Sequence, residues 1–296
     1  MQTLVGWIYI LAWRLIRIVP EKSAYALFYF IGERLSKSDG KAVARLRSNL
    51  QRVRPDLSSI EMDDLLRDAM RSYMRYWCDT FRIPEWSRER IDSTVEVIDE
   101  HLLVDAAASG QGVIVSLPHS GNWDHAGAYF TGKGIHLVTV AERLKPERLF
   151  NEFLKFRASL GMEVLSLDSR SIVTLMQRLR EGKLVALVAD RDLSNSGIAV
   201  EFFGYPSRMP AGPAVLAIKT GAVLLTALVS YTPHGIHIHF RKVDVPSNGT
   251  LEERVSATVQ ICASHFESGI KKHAQDWHML QRIWTDGDFK EREDVK

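Results

Sequence analysis

Cysteine is scarce. Cys78 and Cys262 are the only two in 296 residues, too few and too far apart for a disulfide framework, and neither stands in a metal-type spacing. They fit buried thiols in a reducing compartment. Long apolar runs are also lacking. The longest early run, residues 4–13, has about half the length needed to cross a bilayer. It is not a secretory signal either, since no basic stretch precedes it, and Arg14 and Arg17 follow it instead. No G-x-G-x-x-G, P-loop or G-x-S-x-G elbow occurs, which sets aside dinucleotide binding, P-loop chemistry and a serine hydrolase. No low-complexity linker or internal repeat divides the chain, and nothing points to nucleic acid. The expectation is one domain over residues 1–296.

What is present is an ordinary folded composition, 46% apolar and 25% charged, with a net charge of only +2. That charge is unevenly spread. Residues 1–54 carry ten Lys/Arg against three Asp/Glu, or +7, and the remainder carries 28 against 33, or −5. A basic, aromatic-rich start on an acidic body suits either an anionic surface as partner or a plain solvated face.

Residues 3–19 read as a strongly apolar helix bearing Trp7, Tyr9 and Trp13, broken by Pro20, with a second apolar helix over 22–36. This hairpin (1–36) either lies shallowly in lipid or covers a core. A basic, helical stretch (37–92) follows. Within it Ser58-x-x-Glu61 predicts a capping box opening a helix to about Thr80. Its Arg71, Arg75 and Arg82 suit a solvated face or lipid phosphates.

From Val95 the pattern turns to strands at 95–99, 112–118, 135–141, 162–167 and 183–189, separated by helices. Such alternation predicts an α/β fold: a central mixed, mostly parallel sheet flanked by helices, with the N-terminal helices as a membrane-associating segment. Residues 189–215 read as a loop holding one short strand, 198–203. A buried strand at 222–231 and an alternating strand at 237–245, antiparallel at the sheet edge, precede a last helix over 251–273. The catalytic core spans 93–284 and the tail 285–296.

The stretch SLPHSGNWDHAG, 116–127, leaves a buried strand and enters a helix, the place where open α/β sheets keep their chemistry. A neutral His119 can take a proton from an alcohol if a carboxylate fixes its tautomer. Asp124 can be that partner provided the helix begins near Asn122. The plainer reading is a loop histidine with Asp124 near a helix start. Asp190, Arg191 and Asp192 follow the strand 183–189 and so belong to the same carboxyl edge. Asp190 is a second candidate carboxylate, and Arg191 either neutralises the acids or binds phosphate. His237 and His239 share one face of a strand, a spacing known at metal sites, but no third ligand is evident. The apolar helix near 150–160, Trp277 and Trp284 suit either an acyl groove or core packing.

HSGNWD (119–124) has the His-x4-Asp form of glycerolipid and lipid A type acyltransferases. Around it, Glu142-Arg143, Arg157-Ala-Ser-Leu-Gly161, Ala189-Asp-Arg-Asp192, Glu201-Phe-Phe-Gly204, Pro210 with Gly212, and Trp277, Arg282 and Trp284 recur in the order of the late lipid A acyltransferases. The resemblance spans nearly the whole chain. Within that family HSGNWD, the AERL segment and RDLSNSGIAVEFFG most resemble its actinobacterial phosphatidylinositol mannoside branch. There the acid before the Arg-Asp pair is commonly Glu; here it is Asp190.

The resemblance implies an O-acyltransferase moving a long acyl chain from acyl-CoA to the 6-hydroxyl of a mannose on phosphatidylinositol mannoside. His119 would be the base, Asp124 its partner and Asp190 a further acid. Glu142, Arg157, Arg191 and Glu201 would bind substrate, and Asn122 and Arg157 acyl-CoA, which enters as co-substrate with no cofactor or metal. The backbone N–H groups of 120–122 and Arg157 are candidates to meet the oxyanion. The enzyme would work at an anionic membrane surface, peripheral on the cytoplasmic face of the plasma membrane. The competing readings are the same chemistry on a lysophospholipid or lipid A type acceptor, and a lipid-binding protein of the same fold without catalysis.

Overall fold

Ser58 and Glu61 open the longest helix reciprocally. The Ser58 hydroxyl accepts from the Glu61 backbone N–H, and the Glu61 carboxylate accepts from the Ser58 N–H, before the helix Ser59–Arg82. The computed structural model describes residues 13–142, 147–166, 171–192 and 196–286. Most of the first expected helix lies outside these residues; 13–18 are helical, and the chain leaves the helix at 19–20 before the helix Glu21–Ser36. That helix packs on Ser59–Arg82 at Gly32, where a Cβ would come within 2.8 Å of the Met70 carbonyl oxygen. No described helix is long and apolar enough to cross a membrane.

Seven strands form the main sheet: β1 (Val95–Ile98), β2 (Val113–Leu117), β3 (Leu137–Ala141), β4 (Glu163–Ser166), β5 (Leu184–Val188), β8 (Val223–Tyr231) and β9 (Ile236–Lys242). Their order is β1-β9-β8-β2-β5-β3-β4. All neighbours are parallel except β8 and β9. β9 is therefore antiparallel to β8 as expected, but it is not the edge. β1 covers it, because the short VEVI segment pairs with Ile236–His239 far along the chain. A separate hairpin joins β6 (Ile198–Phe202) to β7 (Tyr205–Met209). Its second strand is hidden in the sequence by Pro206, which a two-stranded ribbon tolerates.

Alternation along β2 feeds two cores. Val113, Val115 and Leu117 face one, with the helices His101–Ala108 and Trp123–Gly132; Ile114 faces the other, with the helices Lys41–Val53, Ser59–Arg82, Gly212–Thr220 and Leu251–Ile270. All five β2 residues are buried, so this strand is fixed on both sides and its carboxyl end is a rigid platform. Each fully buried aliphatic side chain contributes about 1.5–3 kcal/mol to that rigidity.

The expectation of a solvated or lipid-facing arginine row is corrected for Arg75 and Arg82, while Arg71 keeps a partly exposed side chain. Arg75 donates to the carbonyls of Thr232 and Gly235 and pairs with Asp79, Arg82 donates to those of Ile16 and Val19, and Arg71 pairs with Glu33. The row fastens the N-terminal helix and the loop after β8 to Ser59–Arg82. Trp277 and Trp284 are buried in the second core, edge-on and stacked respectively against Phe202, so the groove reading is corrected for both.

Candidate active site

The loop after β2 is held from beneath. Ser120 donates its hydroxyl to the Val229 carbonyl at 2.6 Å, and Gly121 donates its N–H to the Asp276 carbonyl at 2.9 Å. Gly121 has φ +58°, and a Cβ there would lie 2.6 Å from the Val229 oxygen, so the turn requires glycine. Asn122 caps the next helix by accepting the His125 N–H at 3.0 Å. The helix thus begins where the His119–Asp124 pairing required it to begin.

That pairing is nevertheless corrected. The carboxylate on His119 is Asp190, from the end of β5: its Oδ1 lies 2.5 Å from the ring Nδ1 and its Oδ2 accepts the His119 backbone N–H at 2.9 Å. The short aspartate reaches because β5 pairs with β2 in register, Leu117 opposite Val188, so the two loops leave the sheet side by side. A third donor, the indole N–H of Trp277, meets Asp190 Oδ2 at 2.9 Å. Asp190 is fully buried. Burial alone would raise its pKa, but the His119 ring, the Trp277 indole and the His119 N–H outweigh it and hold the carboxyl below the usual range. An ionised Asp190 can only accept, so Nδ1 carries the proton and Nε2 is left with its lone pair.

Asp124 is committed elsewhere. Its Oδ1 accepts from Arg157 Nε at 2.8 Å and its Oδ2 from the Tyr76 hydroxyl at 3.1 Å, both deep in the protein. Burial pushes the Arg157 pKa down, but the Asp124 charge more than restores it. Arg157 comes from the helix Glu147–Ser159, whose Phe150 and Phe156 are core; of that helix only Arg157 reaches the cavity described next.

The cavity lies between the sheet and the helix Trp123–Gly132, with an empty volume of about 580 Å³. Leu117, Val188, Ala186, Phe130 and Ile238 line it, and its polar groups are Asp124, Arg157 and Thr139. Such an apolar lining with a few polar groups suits an acyl chain. Trp123 belongs both to this cavity and to the base: its ring is edge-on to His119 with centroids 5.7 Å apart. The indole N–H of Trp123 and the side-chain amide N–H of Asn122 are buried without a hydrogen-bond partner.

Of the other expected residues, Glu142 and Arg191 meet at 3.6 Å, following β3 and β5 on the same edge. Glu201 is exposed on the β6–β7 hairpin, where its backbone exchanges hydrogen bonds with Gln260, and it has no bond to His119 or Asp190. Of the segment around Arg143, residues 143–146 lie outside the described residues, as do 193–195. Sequence reasoning missed the support given by residues 276–278. Besides Trp277, the His278 N–H donates to the His119 carbonyl at 2.7 Å, and the His278 ring meets Ser72 at 3.0 Å. Burial first, and then the neighbouring His119 imidazole, push His278 down to about 3, so it stays neutral. The only signal was the Trp277–Trp284 pairing itself. His125, inside the motif, is a core residue: burial, then the Arg75 and Arg90 charges, lower it to about 3.

A family model for bacterial lipid A biosynthesis acyltransferases matches residues 1–286. The chain is 40% identical over 279 residues to a Mycolicibacterium smegmatis protein named phosphatidylinositol mannoside acyltransferase, covering 93% of this chain and 90% of that one. It is 38% identical over 291 residues to a protein of the same name from Mycobacterium tuberculosis, covering 96% and 89%.

Proposed function

The chain belongs to the bacterial lipid A biosynthesis acyltransferase family and is an O-acyltransferase, and from there we propose that it moves a long acyl chain from acyl-CoA to the 6-hydroxyl of a mannose on phosphatidylinositol mannoside. The observation that carries the reading is the His119–Asp190 pair beside an apolar cavity, joined to it through Trp123. The acceptor is the one for which the two mycobacterial relatives are named.

His119 Nε2 takes the sugar hydroxyl proton as the oxygen attacks the thioester carbonyl. A tetrahedral oxyanion forms; the carbon–sulfur bond then breaks, and the proton passes from His119 to the departing thiolate. The products are the ester and free coenzyme A. The acyl chain lies in the cavity under the helix Trp123–Gly132. The backbone N–H groups of His119, Ser120 and Gly121 are already spent on Asp190, Pro118 and Asp276. Of the expected donors that leaves the Asn122 N–H and Arg157, and the unpaired Trp123 indole N–H, which lines the cavity with Arg157, joins them in meeting the oxyanion. Glu142 and Arg191, on the same edge, border the acceptor. Neither cysteine takes part; both are buried, and burial, the largest cause for each, raises both thiols to about 12.

The N-terminal helices face the membrane. Leu15, Ile18, Leu27 and Phe30 are exposed apolar residues on them, Ile18 at 79%, and the exposed Arg14 and Arg34 lie among them. The enzyme works peripherally, at the cytoplasmic face of the plasma membrane.

The test is free-thiol release from palmitoyl-CoA with a panel of acceptors: phosphatidylinositol mannoside, a lysophospholipid and a lipid A precursor. Wild type should acylate the mannoside, and His119→Ala, folded by circular dichroism, should lose roughly 10³-fold in rate. A folded, active His119→Ala rules out the base, and transfer only to a non-mannosylated acceptor overturns the substrate.

A further inference from the structure

The sheet face away from the acyl cavity holds a second cavity, between the helix Leu251–Ile270 and β8–β9, with an empty volume of about 790 Å³. Its origin is legible in β9. Ile236, Ile238 and Phe240 are buried in the core, so the period-2 alternation turns His237, His239 and Arg241 to the other face. Across from them stand His265, Lys272 and His273. The helix comes close enough to enclose the space because of Gly269, where a Cβ would lie 2.6 Å from the Leu228 side chain. The carbonyls that end this helix are already taken by the N–H groups of residues 271–273, which blunts its negative pole.

Four imidazoles, a guanidinium and an ammonium thus converge on one cavity. They are not a metal site: among the described residues no group of three or more His, Cys, Asp or Glu is arranged to hold an ion. Acids touch only its border. Asp99 lies 3.6 Å from His239 Nε2, Glu96 is the register partner of His237, and Asp244 acts on His265. Thr226 takes Nδ1 of His265 at 2.8 Å, leaving Nε2 for something else. Burial first, and then the neighbouring cations, hold His237 and His265 below their usual pKa, while the bordering acids act the other way. Cations crowded into a half-closed space repel one another, and an anion bound among them relieves both that repulsion and their desolvation.

We propose that this cavity binds a phosphorylated small molecule, through a phosphomonoester or diphosphate group held by Arg241, Lys272 and the four histidines. The group can belong to a nucleotide or to a soluble inositol phosphate. The site is separate from the acyl-transfer centre: its charged and imidazole side chains on β9 alternate with Ile238 and Phe240, which line the acyl cavity, and Ala227 of β8 is the one residue that borders both.

Isothermal titration of the full chain with inorganic pyrophosphate tests the proposal. Saturable binding is expected at about pH 6, tighter still as pH falls through the lowered range of His237 and His265 and about tenfold weaker by about pH 8. The double variant Arg241→Gln/Lys272→Gln should bind about tenfold more weakly. Both side chains are exposed, so its melting temperature and acyl-transfer rate should stay those of wild type. A second variant, His265→Asn/His273→Asn, should flatten the pH dependence. His119→Ala should bind as wild type does, which separates this site from the catalytic one. A nucleotide unlike the acyl donor, GDP, and inositol 1-phosphate, titrated alongside into wild type and the Arg241→Gln/Lys272→Gln chain, tell which source of phosphate binds more tightly. The proposal is overturned by an absence of saturable pyrophosphate binding at about pH 6, by undiminished affinity in the Arg241→Gln/Lys272→Gln chain, or by loss of affinity in His119→Ala.

Discussion

Two aspartates stand near the base, and their substitution should separate them. Asp190→Asn keeps the shape but removes the charge that fixes the His119 tautomer, and an amide can turn its NH2 toward Nδ1. The expected result is a loss on the order of 10³–10⁴ in kcat with KM nearly unchanged, in a protein that still folds. Asp124→Asn leaves the Arg157 guanidinium buried with no carboxylate, so it should lose roughly 3–5 kcal/mol of stability as well as activity. Adding Arg157→Met should restore part of the stability and none of the activity. Denaturant titration beside steady-state kinetics reads both. An Asp190→Asn enzyme with full kcat would remove the ring-orienting role. His119 and Asp190 were legible from their places just past two apolar strands. Their contact was not, because it depends on β2 and β5 pairing in register, and the His-x4-Asp spacing pointed to the nearer acid. Trp277 was beyond reach for the same reason: its hydrogen bond to Asp190 spans 87 positions of chain.

Among elements, the helix Lys41–Val53 has a task that its basic composition hides. Asn49, buried at 1% exposure, donates to the carbonyls of Met279 and Gln281 and accepts from the Trp284 indole. It clamps the segment whose preceding residues, Trp277 and His278, support Asp190 and the His119 loop. Asn49→Ala strands the buried Met279 carbonyl and the Trp284 indole N–H, which should cost about 2–3 kcal/mol. Amide exchange across 277–284 should quicken, and activity should fall with the loosened support. Unchanged exchange in that segment would show that the clamp is redundant. The alternating strands and helices from β2 through β5 were readable because buried parallel strands are unbroken β-branched runs. β1 as the outer neighbour of β9, and β7 with its proline, were not, since both are defined by partners rather than by composition.

For the molecule as a whole, the charge asymmetry that suggested an anionic partner is partly spent on ion pairs within the chain. Arg17, Arg47, Arg52 and Arg54 pair with Glu85, Asp63, Asp286 and Asp56, which leaves a smaller exposed set, including Arg14, Lys22, Arg34, Lys37 and Lys41, for any lipid surface. What seats the N-terminal helix on the body is a buried polar set: the Tyr25 hydroxyl donates to Asp79, beside Arg75, which also covers the Tyr231 ring at 4.1 Å. Burial raises Asp79 to about 6, although Arg75 and the Tyr25 hydrogen bond pull the other way. Its pKa in the unfolded chain is near 3.8. Between these values the folded protein holds a proton that the unfolded chain has released, so this group's contribution is complete below the lower value and is lost as pH rises through the upper one. The loss amounts to roughly 3 kcal/mol across the window. Asp79→Asn stays neutral and can still accept from Tyr25, so the fall in unfolding free energy from about pH 4 to about pH 7 should be smaller in the variant by that amount. Urea titrations of both chains at the two pH values measure it. Parallel pH profiles would mean that Asp79 is ionised in the folded protein throughout, with Arg75 supplying enough charge to keep it so.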